Sequence, residues 1–336
     1  MDAAWTQILS GTLSSTQEAQ MRMLFNDSDC LEKRQFSPVH DIVLGLKQGD
    51  LEQEILTSSA SINTIDSNGR TPLSWAASRG DTRLIQSLIR LGANPNIVSV
   101  CYMSPLHYAV RAASPRTIVS LLAAGAKVDQ RTDWGQTPLH HAASYQNDTR
   151  YIEPLLDCGA DVAAPDRDGN TPLGCAALNN NWKVAAYLLE SGADVDSQTP
   201  DGWTALLMSV DCNSHATLRL LLRYAADPTI KLKTGYTIIH RAAMHGDIET
   251  ITILKEARLK GIDIGAVNCN NNTARDLVLS RDPNQGELVT AFEKLLLSVQ
   301  KTPLSGSGND EDDEYDATDF FDAEEHLSGT EGRDGQ

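Results

Sequence analysis

Adjacent imidazoles at His140 and His141, with His107 and His240 in similar surroundings, invite a metal ion or a general base. Asp133, Asp166, Asp168 and Asp201 offer carboxylates of the kind that share acid–base work. Six cysteines, Cys30, Cys101, Cys158, Cys175, Cys212 and Cys269, offer thiols. None of these sets has the spacing its chemistry needs. The cysteines lie far apart, with no C-x-x-C pair and no zinc-ligand spacing, which reads as free thiols in a reducing compartment. His107, His140 and His240 each follow a Thr or Ser by three residues, at one fixed place in a recurring pattern. A residue recurring in register serves the fold, here through hydrogen bonds between successive turns. His141 and His245 are expected on the exposed side of a helix. The aspartates precede T-P-L or T-A-L, where Asx-turns use them. The chain contains no G-x-S-x-G, Walker loop or H-E-x-x-H, and its glycines are spent on turns and helix ends. No catalytic residue, cofactor or metal is expected.

The elements behind that register repeat. The segments "NGRTPLSWAASRGD", "YMSPLHYAVRAA", "WGQTPLHHAASYQ", "DGNTPLGCAALNN", "DGWTALLMSVDCN" and "TGYTIIHRAAMHGD" align, with their Thr or Ser at 71, 104, 137, 171, 204 and 237. Units close alike, on "LIRLGANPN", "LLAAGAKVD", "LLDCGADVA", "LLESGADVD" and "LLRYAADPT". Thr71 is a helix cap and Pro72 fits the first helical position, where a missing N–H costs nothing. Ala pairs such as Ala76–Ala77 and Ala142–Ala143 favour helix and let neighbouring helices approach closely. Gly92, Gly125, Gly159 and Gly192 end a leucine-rich second helix in a left-handed conformation, whereas the fifth unit has Ala225 there.

This pattern resembles the ankyrin repeat, a unit of a β-turn and two antiparallel helices. The resemblance implies an all-α ankyrin-repeat solenoid. Residues 1–36 form an N-terminal segment, 37–66 a degenerate opening unit, 67–300 the array with its closing helix pair, and 301–336 a disordered acidic tail. It also implies a concave surface of turn tips and first helices that binds a protein. Carried onto that surface, Arg79, Arg111, Trp134, Tyr145 and Arg167 are the candidate contacts, being types that dominate interface hot spots. Ser67, Asn68, Arg70, Met103, Gln136, Asn170, Trp203 and Tyr236 fall at the tips as well, with Asn179 and His245 on the first helices. Trp203 and Tyr236 have a second reading, as cover for a neighbouring repeat.

Composition sets further bounds. The formal charge is −17, and Asp310 to Asp334 holds twelve acids and one base, leaving −6 on the remainder. Nucleic acid is therefore not an expected partner. The N-terminus lacks a basic leader region and no apolar run reaches the roughly 20 residues of a membrane span. A monomer in the cytoplasm is expected, with the nucleus as the alternative.

The tail contains two of the chain's five phenylalanines, side by side in an acidic run. The segment Asp319-Phe320-Phe321-Asp322-Ala323-Glu324-Glu325 resembles the FFAT motif, which binds the MSP domain of VAMP-associated proteins on the endoplasmic reticulum. The resemblance implies that Phe320 fills an apolar pocket, Asp322 meets a basic residue and Ala323 enters a small hollow, with Phe321 and Glu325 adding contacts. Burying two Phe yields roughly 3–6 kcal/mol, while ordering about seven residues costs on the order of 1–2 kcal/mol each. The acids must supply the remainder, so a roughly micromolar, salt-weakened complex is expected. A solubilising spacer, a basic partner such as histones, and docking in cis as an autoinhibitory peptide are the other readings of the tail.

Overall fold

Thr71 shows how each repeat begins. Its hydroxyl accepts from Ser74 N–H at 3.2 Å, its own backbone is extended, and Pro72 opens the helix. Ser37, Ser104, Thr137, Thr171, Thr204, Thr237 and Thr273 cap short helices with the same extended backbone; the hydroxyl accepts from the third helical N–H at Ser37, Thr171, Thr204 and Thr273, and a proline follows Ser37, Ser104, Thr137 and Thr171. The computed structural model describes residues 35–57, 61–281 and 286–300. The readings made for residues 1–34 and for the tail from Lys301 onward lie outside the described residues.

The inner helices are α1 (Pro38–Leu44), α3 (Pro72–Ser78), α5 (Pro105–Arg111), α7 (Pro138–Tyr145), α9 (Pro172–Leu178), α11 (Ala205–Asp211), α13 (Ile238–His245) and α15 (Ala274–Leu279). Between them run the outer helices α2 (Leu51–Thr57), α4 (Thr82–Arg90), α6 (Pro115–Ala123), α8 (Glu153–Asp157), α10 (Trp182–Glu190), α12 (His215–Arg223), α14 (Ile248–Glu256) and α16 (Gly286–Gln300). Inner helix packs on the next inner helix, and from α4 onward outer packs on outer, except that α10 packs on the 3-10 turn at Thr149–Tyr151, which leads into α8. Among the described residues there is no strand, only an isolated bridge between Val267 and Thr273. The chain is an all-α ankyrin-type solenoid.

The core follows from the period. Leu73, Leu106, Leu139, Leu173, Leu206 and Ile239 occupy one place in successive inner helices and are buried. Leu88, Leu121, Leu155, Leu188, Leu221 and Leu254 do the same in the outer helices. The Ala pairs between them are buried too, so small side chains set the distance between layers.

Seven turns of one design precede the inner helices from α3 to α15. In each, the first residue's N–H reaches the carbonyl four residues on, as Asp66 to Arg70 and Asn268 to Asn272. Tips are linked in turn by single backbone hydrogen bonds: Val100 N–H to Asn68 O, Asp133 to Cys101, Arg167 to Trp134, Lys233 to Asp201 and Cys269 to Thr234. One link is missing, between Asp168 and residue 200, because Pro200 has no N–H to give.

The turn chemistry corrects one expectation. Of Asp133, Asp166, Asp168 and Asp201, only Asp166 closes a turn with its side chain, accepting from Asp168 and Asn170 N–H. Its place is held elsewhere by Asp66, Thr132, Thr199 and Asn268, each of which accepts from backbone N–H. The other three aspartates sit one or two residues later, at the tip, where the side chain cannot reach back.

Gly92, Gly125, Gly159 and Gly192 have φ between 81° and 93°, and a Cβ added there would meet nothing within 4 Å. Backbone conformation rather than space selects glycine. Ala225 adopts φ 55° at the same place and is exposed. Relief of the left-handed penalty exceeds the entropy glycine adds to the unfolded chain, so Ala225→Gly should stabilise the protein by ~0.5–1 kcal/mol, read as a raised thermal midpoint.

Candidate functional site

The histidines predicted to join successive turns do so. His107 Nδ1 accepts from Ser104 N–H at 3.1 Å, which places the proton on Nε2, 3.3 Å from Gln136 O in the next turn. His140 repeats the arrangement with Thr137 and Asn170 O, and His240 with Thr237 and Asn272 O. His40 does the same in the opening unit, bonding Ser37 and Arg70 O, a fourth bridge that the sequence reading did not single out. All four are buried, and loss of solvent pushes their pKa values down, His107 to about 4. They are neutral and fully engaged in the fold.

His141 differs from expectation. It is buried at 7% exposure, and neither ring nitrogen has a hydrogen-bond partner in the protein. Its ring packs edge-on to His107 at 5.1 Å and against Tyr145 at 5.8 Å. Burial first, then the neighbouring His107 and Arg111, pushes its pKa to about 3. The reason is its column: Trp75, Tyr108, Cys175, Met208 and Arg241 hold the same place in other inner helices, all facing the neighbouring layer. Trp75 and Tyr108 find partners in Asp66 and Ser99. His245, by contrast, is exposed as predicted.

The candidate contacts separate into two pairs and an outlier. Trp134 is 65% exposed at its tip, and the exposed Arg167 donates its N–H to Trp134 O at 3.0 Å. Arg111, at the end of α5, places its guanidinium 5.3 Å from the ring centre of Tyr145 at the end of α7, and both are exposed. Arg79 is different: it is half-buried, and its Nη1 donates to Val43 O at 2.8 Å, capping the end of α1. Its charge serves the joint between the first two units. Asp319, Phe320, Phe321, Asp322, Ala323 and Glu325 lie outside the described residues.

Several tip residues turn inward. Met103 is buried. Arg70 lies between the rings of Trp75 and Tyr108, 4.7 and 4.6 Å from their centres. Trp203 and Tyr236 are half-buried against the core and flank Arg241, which also pairs with Asp211. Covering a neighbouring repeat is what these two aromatics do.

Tyr102 was not singled out from the sequence. It is 57% exposed with φ 57°, at the place where five sister turns have Gly69, Gly135, Gly169, Gly202 and Gly235 and the last has Asn271. A tyrosine there costs about 1–2 kcal/mol of backbone strain and recovers little by burial. Val100, two residues earlier, is 67% exposed. The signal was available, since a bulky residue replaces the turn glycine in that repeat alone among the six aligned ones.

Other chemistry is thin. Among the described residues no group of three His, Cys, Asp or Glu side chains gathers to hold a metal ion, and no helix is long and apolar enough to cross a membrane. The five described cysteines are unpaired; burial pushes the Cys175 thiol up to about 12, which keeps it inert.

The family described as "Ankyrin repeats" matches the chain three times, over residues 39–132, 106–199 and 192–268. The chain belongs to the ankyrin-repeat family. No curated protein matches it. Among solved structures it is similar to the human ASB11 ankyrin repeat domain, at TM-score 0.59 and 24% identity, covering 71% of this chain and all of that one. It is similar also to the ankyrin repeat domain of Bcl-3, a member of the IkappaB protein family, at TM-score 0.56 and 28% identity over 68% of this chain and all of that one.

A pH dependence follows from the buried imidazoles. Unfolded, each takes its proton near 6.5. Folded, His107 and His141 stay neutral down to about 4 and about 3. Between those values the unfolded chain holds more protons, so stability present above 6.5 is lost as pH falls, by about 2 kcal/mol per group at pH 5. Urea midpoints measured from pH 7 to 5 should fall accordingly. His141→Met, the residue found at the sister position 208, should remove about 2 kcal/mol of that loss and raise stability at pH 7 by roughly 1–3 kcal/mol.

Proposed function

We propose that the chain is a non-catalytic adaptor that acts as a cytoplasmic monomer. Residues 37–66 open the array and 67–300 form it. Its turn-tip face grips a protein partner, and the C-terminal segment holds the pair at the endoplasmic reticulum surface. The observation that carries the first half is the set of exposed aromatic and arginine side chains, Trp134 with Arg167 and Arg111 with Tyr145, on a frame whose histidines are all committed to folding or buried, apart from exposed or surface-paired ones such as His245 and His215. Such residues anchor protein interfaces, where a few of them carry most of the binding energy. The second half rests on the sequence of residues 319–325 and its likeness to the FFAT motif.

Two experiments separate the halves. Proximity labelling with Trp134→Ala/Arg167→Ala should lose the partners captured by the wild type, each anchor costing on the order of 2 kcal/mol, about thirtyfold in affinity. Arg83→Gln, an exposed change on outer helix α4, should keep them. A purified MSP domain should retain the wild type and release Phe320→Ala/Asp322→Ala, with retention weakening as salt is raised. Equal retention of both proteins rejects the tether and leaves the adaptor reading standing.

A further inference from the structure

A cavity of about 380 Å³ opens between the outer helices α14 and α16. Ile248, Thr252 and Lys255 line it from α14, and Glu287, Ala291 and Lys294 line it from α16, each at one constant spacing in the chain from its opposite number. These are places a helix presents on a single face. Both helices follow an inner helix by the same hairpin and run in one direction. Lys255 and Lys294 therefore share one end of the groove, and Glu287 stands at the other.

The preceding pair of outer helices shows what closes such a space. His215 Nε2 lies 3.0 Å from Asp247 Oδ1, its Nδ1 lies 3.3 Å from Glu249 Oε2, and Arg219 donates to Glu249 at 3.1 Å. These bonds tie α12 to α14. One layer on, Ile248 and Thr252 hold the places of His215 and Arg219, and Gly286 and Leu288 hold those of Asp247 and Glu249. Among the described residues no ion pair crosses from α14 to α16, and Lys255, Glu287 and Lys294 are exposed and unpaired. Ile248 is exposed beside them, over buried Ile251.

We infer that this groove takes one amphipathic helix of a partner protein, laid antiparallel to α14 and α16. The charges choose both the occupant and its direction. A helix favours acids in its first turn and bases in its last, because its own dipole does. Laid antiparallel, its first turn meets Lys255 and Lys294 and its last turn meets Glu287, so every free charge in the groove is matched. A parallel helix would set like against like. The stretch from residue 248 to 255 is about 11 Å long, two turns, which brings apolar side chains three and four places apart onto Ile248, Ile251 and Ala291. This surface lies on outer helices, whereas the contacts of the adaptor face lie on turn tips and inner helices.

The test is fluorescence anisotropy of the full-length protein with a labelled, lactam-bridged helical peptide that has Glu-Glu in its first turn, Leu along one face and Arg-Arg in its last turn. Binding at about 10–100 μM that weakens with salt is expected. The same peptide with Arg first and Glu last should bind about fivefold more weakly. Lys255→Glu/Lys294→Glu should weaken the first peptide about tenfold. Adding Glu287→Lys should turn the preference over to the second peptide, an exchange that a merely structural role for these side chains would not produce. Thr290→Trp, an exposed change that fills the groove, should abolish binding while leaving the thermal midpoint in place. Trp134→Ala/Arg167→Ala should bind the peptide as the wild type does. Equal binding of the two peptides, unchanged binding by Thr290→Trp, or no binding by the wild type overturns the proposal. So does tighter binding by Phe320→Ser/Phe321→Ser, which makes the chain's own C-terminal segment the occupant. Concentration-dependent self-association that Thr290→Trp abolishes makes a second copy the occupant, and overturns it too.

Discussion

Short helices stacked in layers have no backbone hydrogen bonds of their own from one layer to the next; the turn tips supply single ones, and side chains must supply the rest. The imidazole is suited to this. One nitrogen accepts from the cap of its own helix, the other donates to a carbonyl of the following turn, and that carbonyl already takes one bond from within its turn. A carbonyl has two lone pairs, so both donors are accommodated. The engaged ring is neutral and can be buried, and the same burial that lowers its pKa ties stability to the protonation of the unfolded chain.

That division of labour leaves the outward side chains for recognition. At the central column, residues of very different chemistry, Trp75, Tyr108, His141, Cys175, Met208 and Arg241, fill one geometrical slot between layers. Aromatic residues at the tips follow two rules: where an arginine inserts beside them, as Arg241 does with Trp203 and Tyr236, they close the gap between repeats. Where none does, as at Trp134 and Tyr102, they face solvent.

The fold was legible because its determinants are local and recur: cap, proline, Ala pair and terminal glycine report on backbone geometry directly. His40 shows the limit, since the opening unit has drifted in sequence around it while keeping Ser37 three residues before. The candidate contacts were legible only in part. Arg111, Trp134, Tyr145 and Arg167 are exposed as read, but Arg79 bends back to Val43 O and His141 turns into the interlayer slot. Whether a long side chain at a helix end reaches outward or backward depends on which carbonyl the neighbouring repeat leaves within range, and periodicity does not record that. Tyr102 was hidden by looking for what recurs, when its information lies in breaking the rule.

The joint that precedes Pro200 is missing more than its tip bond. Gly174 stands where a bridging histidine would be, so no imidazole joins this layer to the following turn. Helix packing, the bonds from Thr217 to Asn180 and the bond from Asp227 N–H to Asp196 hold these two layers together. The array therefore has a fracture plane: pulled from its ends or warmed, it parts first into a block before residue 199 and a block after it, and the aromatic tips stay whole on the first.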